Sequence, residues 1–275
     1  MVRIADGPAS KGVQSDLISV FRNIGVSHRD SDMLADNILV AMGKPTSLAE
    51  TEREVHFLLQ NAEASGQPFR KALDVKQKGR VDTIAIDQIA PYLDGREGRR
   101  VNGKILDFGA GSGEIADILQ KRYHLKMVAA DIRDFRNSEI EVPFQLLDGD
   151  RLPVDNNHFQ GVVCSAVLHH SASPDRLIEE ISRAVWGKAV VIETIPEDIT
   201  DEVSRLRVLA QDILWNRFFH DADIPVPGSY DSPDGWVKRF ERHGWVTHEQ
   251  KELGYDLEVA RVRHHLMVFE KLSWL

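Results

Sequence analysis

The chain of 275 residues has one cysteine and no apolar run that approaches the roughly 20 residues of a membrane-spanning helix. A single cysteine excludes a disulfide framework. Because Cys164 lies in the apolar stretch FQGVVCSA, we expect it to be a small buried side chain of a strand. The opening residues MVRIADGPAS lack the apolar core of a secretory signal. We therefore expect a cytoplasmic protein with no membrane partner.

The sequence also has no excess of basic over acidic residues. Lys and Arg number 34 against 43 Asp and Glu, which gives a net charge of −9. Binding along a nucleic-acid backbone depends on Lys and Arg that neutralise phosphates. The composition therefore disfavours a nucleic-acid partner and favours a small-molecule substrate. It does not distinguish a monomer from a homodimer.

Apolar residues recur at helical spacing through the first hundred residues. Ser15 is placed to cap a helix that stops at Gly25, and the pattern then continues to Gly43. Further helices are predicted over 47–64 and 69–90, the second ending before Pro91. Residues 1–95 are thus predicted to form an all-helical N-terminal extension.

From Lys104 short apolar strands alternate with amphipathic helices, which is typical of an α/β fold with a doubly wound, mostly parallel sheet. Residues 96–275 are predicted to form this core. Within it, 195–231 depart from the rhythm as a helix and a proline-rich loop, and we interpret them as a substrate-cap insertion that forms a lid with the extension. Seven strands are predicted, at 104–108, 126–131, 143–147, 160–165, 188–194, 245–252 and 264–271, with helices near 113–122, 174–186 and 232–243.

Residues 104–113 read KILDFGAGSG, a buried strand that runs into three glycines at alternate positions. Glycines permit backbone conformations that a Cβ forbids and let a ligand approach the main chain, while the helix that follows presents free N–H groups. The dinucleotide fingerprint Gly-x-Gly-x-x-Gly would need a glycine where Glu114 stands, and Asp107 is not part of it. A dinucleotide is therefore disfavoured, although an NAD-dependent oxidoreductase stays as an alternative.

This motif resembles the first motif of the class I S-adenosylmethionine-dependent methyltransferases, and the later segments follow in that family's order. The chain is similar to the small-molecule, methyltransferase type 11-like subgroup. The resemblance implies a Rossmann-like seven-stranded sheet, S-adenosylmethionine as cofactor and in-line methyl transfer to a small-molecule acceptor. It assigns to the cofactor the residues Asp107, Gly109, Ala110, Gly111 and Gly113.

Two further segments extend the cofactor site. The strand MVAAD ends in Asp131, where a carboxylate can accept both ribose hydroxyls, and the resemblance adds Ile132. The segment LDGDRLP at 147–153 resembles one in which an Asp receives the adenine amino group and the next backbone N–H reaches a ring nitrogen. Those roles fall to Asp148 and Gly149, with Asp150 as the alternative to Asp148.

The segment DNNHFQGVVCSAVLHH at 155–170 resembles the DNSFD-like entry and VLHH-like exit of the fourth strand, with Gln160 in place of the usual acid. Ligands of open α/β sheets lie outside the carboxyl ends of the strands, so Ser165 should border the methionine part of the cofactor. His170 after this strand and His220 within 195–231 are candidate general bases, although either could be a packing residue. A base is needed only if the acceptor atom carries a proton.

No metal site is predicted. His264 and His265 are neighbours in a predicted strand, so their side chains point to opposite faces and cannot hold one ion. A third interpretation is a cofactor-binding protein that methylates nothing and serves a protein partner.

Overall fold

The computed structural model describes residues 8–23, 25–42, 78–219, 224–255 and 262–272. The helix predicted over 47–64, the first part of the one predicted over 69–90, and His220 lie outside the described residues. None of the described helices combines the length and the apolarity needed to span a bilayer.

The centre of the fold is a seven-stranded sheet with the order β3-β2-β1-β4-β5-β7-β6. Neighbouring strands are parallel from β3 through to β5. The chain order reverses between β1 and β4, which is the switch point where ligands of such sheets bind. The strands are β1 Lys104–Phe108, β2 Lys126–Asp131, β3 Phe144–Leu146, β4 Phe159–Ser165, β5 Val185–Ile195, β6 Trp245–Tyr255 and β7 Arg263–Lys271.

Helices flank this sheet and also precede it. The predicted fold class is confirmed, and the seven predicted strands match the observed ones to within a few residues. The helices are α1 Pro8–Asn23, α2 His28–Met42, α3 Ala90–Asp94, α4 Glu114–Tyr123, α5 Pro174–Ala184, α6 Glu202–Ile213 and α7 Pro233–Arg242, with π-helical turns at Ile84–Ile89 and Leu214–Phe219 and a 3₁₀ turn at Leu168–His170.

Two predicted helix ends were wrong. Ser15 does not cap α1, because the helix begins at Pro8, whose fixed φ suits a first helical turn. The helix predicted to end before Pro91 instead runs to Asp94. A π-helical turn at Ile84–Ile89 precedes the proline, so the N–H of Ala90 reaches back to the carbonyl of Ala85. This wider turn accommodates a residue that has no N–H and crowds the preceding turn.

Two compact units make up the chain. The first comprises Met1–Gln77, Ile195–Tyr230 and Gly254–Arg263. Its described core joins α1, α2 and α6 through fully buried side chains such as Leu17, Phe21 and Ala210. Burial of a side chain the size of Leu or Phe contributes roughly 1.5–3 kcal/mol. The N-terminal helices and the segment after β5 therefore share one hydrophobic core.

The second unit comprises Lys78–Thr194, Asp231–Leu253 and His264–Leu275, and it contains almost all of the sheet. Cys164 is fully buried in β4, as predicted. Trp236 of α7 is also fully buried. The loop ends of β1, β2 and β4, where the sequence places the site, all belong to this unit.

Candidate functional site

The three glycines after β1 form a loop that is tied to the end of β2. The N–H groups of Gly109 and Ala110 both donate to the carbonyl oxygen of Ala130, at 2.8 and 3.0 Å. Gly109, Gly111 and Gly113 all have positive φ angles, of 72°, 52° and 76°. An L-residue with a side chain is strained there, which explains the glycines physically. The loop then ends at Gly113, which caps α4.

The space around the loop differs between its glycines. A Cβ on Gly109 would lie 2.5 Å from both Cγ atoms of Val167, so the chain after β4 packs directly on this backbone. A Cβ on Gly111 would meet nothing within 4 Å among the described residues. The loop is therefore closed on the Val167 side and open above Gly111, where a ligand can reach the main chain.

Asp131 at the end of β2 holds the glycine loop from the other side. Its Oδ2 accepts the N–H of Gly111 at 2.9 Å, and its Oδ1 accepts the N–H of Ile132 at 2.7 Å. Burial raises the pKa of this carboxyl, and the two N–H groups oppose that rise. Each carboxylate oxygen keeps a lone pair for a further donor. Ile132 is 51% exposed and offers an apolar surface beside the carboxylate.

Asp107, the last acid before the glycines, is only 2% exposed. Burial, reinforced by the charge of Asp131 and opposed by the N–H of Ala116, raises its pKa to about 7. Its Oδ2 has no hydrogen-bond partner within the described part of the chain. A buried carboxylate oxygen without a partner is costly, so it indicates a site for a donor or a cation from a ligand.

The raised pKa of Asp107 predicts a pH-dependent stability. Because the folded-state pKa lies above the unfolded value of about 3.9, this group contributes stability below pH ~4 that is lost as the pH rises through about 7. We expect Asp107→Asn, which cannot ionise, to become progressively more stable than the wild type from pH 4 to pH 8. Urea denaturation of both proteins at several pH values measures this difference.

Asp134→Asn is the control, because the pKa of Asp134 is shifted in the opposite direction from that of Asp107. The guanidinium of Arg136 lowers the pKa of the exposed Asp134 carboxyl, so its contribution is lost as the pH falls through the acid range. We expect the stability gap between wild type and Asp134→Asn to change below pH ~4 and not near pH 7. A constant gap for Asp107→Asn between pH 4 and pH 8 would contradict the raised pKa.

The predicted adenine segment forms a tight turn beside β2. The N–H of Leu147 donates to the carbonyl oxygen of Asp131 at 2.9 Å, and the backbones of Asp148 and Arg151 exchange two hydrogen bonds at 2.9 and 3.1 Å. Asp148, Gly149 and Asp150 are all exposed in this turn. The structure thus brings this segment next to Asp131 and leaves both carboxylates as candidates.

The turn after β4 carries the other predicted residues. Ser165 is the half-buried last residue of β4, and His170 is the half-buried last residue of the 3₁₀ turn. Between them Ala166 has a positive φ of 56°, which is strained for a residue other than glycine. The ring centroids of His169 and His170 are 4.2 Å apart.

Sequence reasoning missed Glu193, which supports this turn from β5. Its Oε1 accepts the N–H groups of Val167 and Leu168 at 3.1 and 2.7 Å, and its Oε2 lies 2.5 Å from Nδ1 of His169. Glu193 is completely buried. A lone acid within the apolar strand sequence VVIETI was the available signal, because such a residue requires buried partners.

One site is formed by three neighbouring elements. They are the glycine loop at the switch point of the sheet, the carboxylate of Asp131 at the end of the adjacent strand, and the turn after β4 that packs on the loop. A family model described as a methyltransferase domain matches residues 55–250 of the chain. The chain belongs to this family. It is a class I S-adenosylmethionine-dependent methyltransferase, as the sequence predicted.

Known proteins resemble this methyltransferase at low identity. The ubiquinone/menaquinone biosynthesis C-methyltransferase UbiE of Desulfotalea psychrophila is 24% identical in an alignment of 106 residues that covers 34% of this chain and 42% of that protein. The chain thus spans less than half the length of this curated relative.

Solved structures support the fold. The PH0226 protein of Pyrococcus horikoshii OT3 is 17% identical, with a TM-score of 0.50 over 71% of this chain and 91% of its own. A chain in the complex of the Haloferax volcanii Trm112 methyltransferase activator with a methyltransferase is 15% identical, with a TM-score of 0.50 over 71% of this chain and 92% of that chain.

The family implies S-adenosylmethionine, and three features of this methyltransferase fit it. The backbone of Gly111 is open to a ligand, Asp131 and Ile132 pair a carboxylate with an exposed apolar surface for a nucleoside, and Asp107 has a buried oxygen without a partner among the described residues. Asp131 and Ile132 would hold the adenosine part, and Asp107 would face the cationic methionine part.

Proposed function

We propose that this methyltransferase transfers a methyl group from S-adenosylmethionine to a small-molecule acceptor by in-line displacement. The observation that carries the proposal is the first compact unit, in which α1, α2 and the post-β5 helix α6 share one core. Helix α6 is inserted after the carboxyl end of β5, and together with the two helices that share its core it suits an acceptor-binding cap. The net charge of −9 and the small-molecule pathway named for the UbiE relative support the acceptor class.

The chain's own residues have distinct tasks in this reaction. S-adenosylmethionine supplies an activated methyl group on a sulfonium. Asp131 orients the nucleoside, and Ser165 and the turn after it border the reacting centre. Holding the acceptor atom in line and at about 3 Å from the methyl carbon supplies much of the lowering of the barrier. His170, and His220 as the second candidate, would remove a proton from a hydroxyl or an acidic carbon.

We further propose that the N-terminal extension, residues 1–95, and the insertion, residues 195–231, form a lid that excludes water during transfer. The core that α1 and α2 share with α6 supports this, because these three helices must then move together. Limited proteolysis checks the idea: cleavage in these segments should slow when cofactor and acceptor are both present. Unchanged cleavage rates would contradict it.

The function is tested by calorimetric titration followed by an acceptor screen. We expect S-adenosylmethionine to bind and NADH not to bind, and methyl-labelled cofactor to label a molecule from a pool of small metabolites. With that acceptor, His170→Asn should lower kcat by about 100-fold at unchanged cofactor affinity if the acceptor atom carries a proton. His220→Asn is the parallel variant for the second candidate.

Three results would overturn parts of the proposal. Binding of NADH without binding of S-adenosylmethionine would reject the cofactor. Cofactor binding with no labelled small molecule, together with labelling of a protein, would reject the acceptor class. If neither His170→Asn nor His220→Asn changes kcat for an acceptor that loses a proton, both residues are removed from the chemistry.

A further inference from the structure

We propose that Glu193 is a positioning residue of this methyltransferase, which acts through the turn after β4 to hold the glycine loop in its cofactor-binding conformation. The inference rests on the proposed function only for the identity of the cofactor. Glu193 lies near the end of β5, and within the described part of the chain its hydrogen bonds reach neither the glycine loop nor Asp131.

Glu193 is the main support of a strained turn. Ala166 has its positive φ of 56°, and its N–H donates to the carbonyl oxygen of Ile192 at 2.7 Å. The next two N–H groups, of Val167 and Leu168, both donate to one carboxylate oxygen of Glu193. A left-handed conformation at a residue with a side chain is strained, and it persists only where the surrounding contacts hold it in place. The carboxylate of Glu193 holds the two residues that follow Ala166, and so it keeps this conformation in place.

The second oxygen of Glu193 fixes the histidine that continues the turn. His169 is 1% exposed and Glu193 fully buried, and the Nδ1–H of His169 donates to Oε2 across 2.5 Å. A carboxylate beside Nδ1 selects the tautomer that carries its proton there. The buried charge therefore has three donors, which offsets the cost of its desolvation. Together these bonds lock residues 167 to 169 onto the end of β5.

Val167 passes this constraint on to the glycine loop. Both of its Cγ atoms lie 2.5 Å from the place that a Cβ of Gly109 would occupy, which means that the side chain rests on the Gly109 backbone. The N–H of Gly109 in turn donates a hydrogen bond to the carbonyl oxygen of Ala130, one residue before Asp131. A chain of direct contacts thus runs from Glu193 through Val167 and Gly109 to the strand end that carries the predicted ribose carboxylate.

The test compares cofactor affinity in three variants. Glu193→Leu removes the acceptor of all three bonds, and we expect the dissociation constant for S-adenosylmethionine, measured by calorimetry, to rise at least tenfold. Glu193→Gln keeps an oxygen for the two backbone N–H groups, and its dissociation constant should stay within threefold of the wild type. Thermal melts of the same samples report folding.

Glu270→Gln is the matched control for loss of a shielded carboxylate. Glu270 pairs with the fully buried Lys188 of β5 at 3.2 Å, in a part of the strand remote from the turn. We expect this variant to lower the melting temperature and to leave cofactor affinity within threefold. The comparison separates a specific effect on the site from a general loss of stability.

Folded Glu193→Leu with wild-type affinity would overturn the proposal, as would a loss of affinity in Glu270→Gln of the same size. If Glu193→Leu does not fold, Val167→Ala tests the proposal instead. Shortening this half-buried side chain should raise the dissociation constant for S-adenosylmethionine at least threefold. An unchanged dissociation constant would reject the link between the turn after β4 and the glycine loop. A wild type that binds cofactor but methylates no small molecule contradicts only the acceptor class, because every readout here is cofactor binding.

Discussion

Substitution of Asp131 by Ala should weaken binding of S-adenosylmethionine by more than about tenfold, because a hydrogen bond to a charged group contributes about 1.5–3 kcal/mol. The structure adds a second reason. Oδ2 of Asp131 accepts the N–H of Gly111 at 2.9 Å, so removal of the carboxylate also releases the most open residue of the glycine loop. Calorimetric titration with S-adenosylmethionine measures the loss.

Stability should change much less than affinity in Asp131→Ala. Burial raises the pKa of this carboxyl, which shows that the ionised form is partly penalised by its surroundings. Removal of the side chain relieves that penalty, but it also removes the acceptor of two hydrogen bonds from backbone N–H groups. The two effects on the free energy of unfolding therefore oppose each other. We therefore expect a tenfold or greater loss of affinity in a protein that melts near the wild-type temperature.

Glu139→Ala is the control, since it removes an exposed carboxylate from the same connection between β2 and β3. Its affinity for the cofactor should equal that of the wild type. Equal affinity in Asp131→Ala would remove Asp131 from the site. A parallel loss in Glu139→Ala would instead point to the overall negative charge of this region.

Local sequence patterns predicted the strands and the site elements at their ends. Mostly apolar runs followed by glycine or an acid marked β1 and β2 to the residue, because a strand buried on both faces is mainly apolar. The glycines at 109, 111 and 113 were predictable for the same local reason, since their positive φ angles are a property of the turn itself. The joining of these elements at one sheet edge followed from the parallel order.

Features that depend on contacts between distant parts of the chain were not predictable. The register pairs Ser165 with Ile192, and only this alignment brings Glu193 beneath the turn after β4. Sequence alone shows an acid in a strand and two adjacent histidines, with nothing to say which of them meet. The course of the chain through Pro91 likewise depends on a π-helical turn, whose wider spacing leaves no mark in a pattern of apolar residues.

Substitution of Gly109 by Ala should impair both folding and cofactor binding. The residue has a φ of 72°, which costs an L-residue about 1–2 kcal/mol. The new Cβ would also stand 2.5 Å from both Cγ atoms of Val167, and overpacking of this kind typically costs about 1–3 kcal/mol. Because the turn after β4 must then move away from the glycine loop, we expect at least a tenfold loss of cofactor affinity together with a lower melting temperature.

Gly111→Ala separates the two costs, because its φ of 52° imposes the same backbone strain while its Cβ would meet nothing within 4 Å in the described structure. We expect Gly111→Ala to lose only the stability that corresponds to the strained backbone conformation, without the further loss from a steric clash. The double variant Gly109→Ala, Val167→Ala should recover part of the melting temperature that Gly109→Ala loses, since the shortened side chain makes room for the new methyl group. If Gly109→Ala and Gly111→Ala are equally stable and Val167→Ala rescues nothing, the contact between the two loops does not constrain the protein.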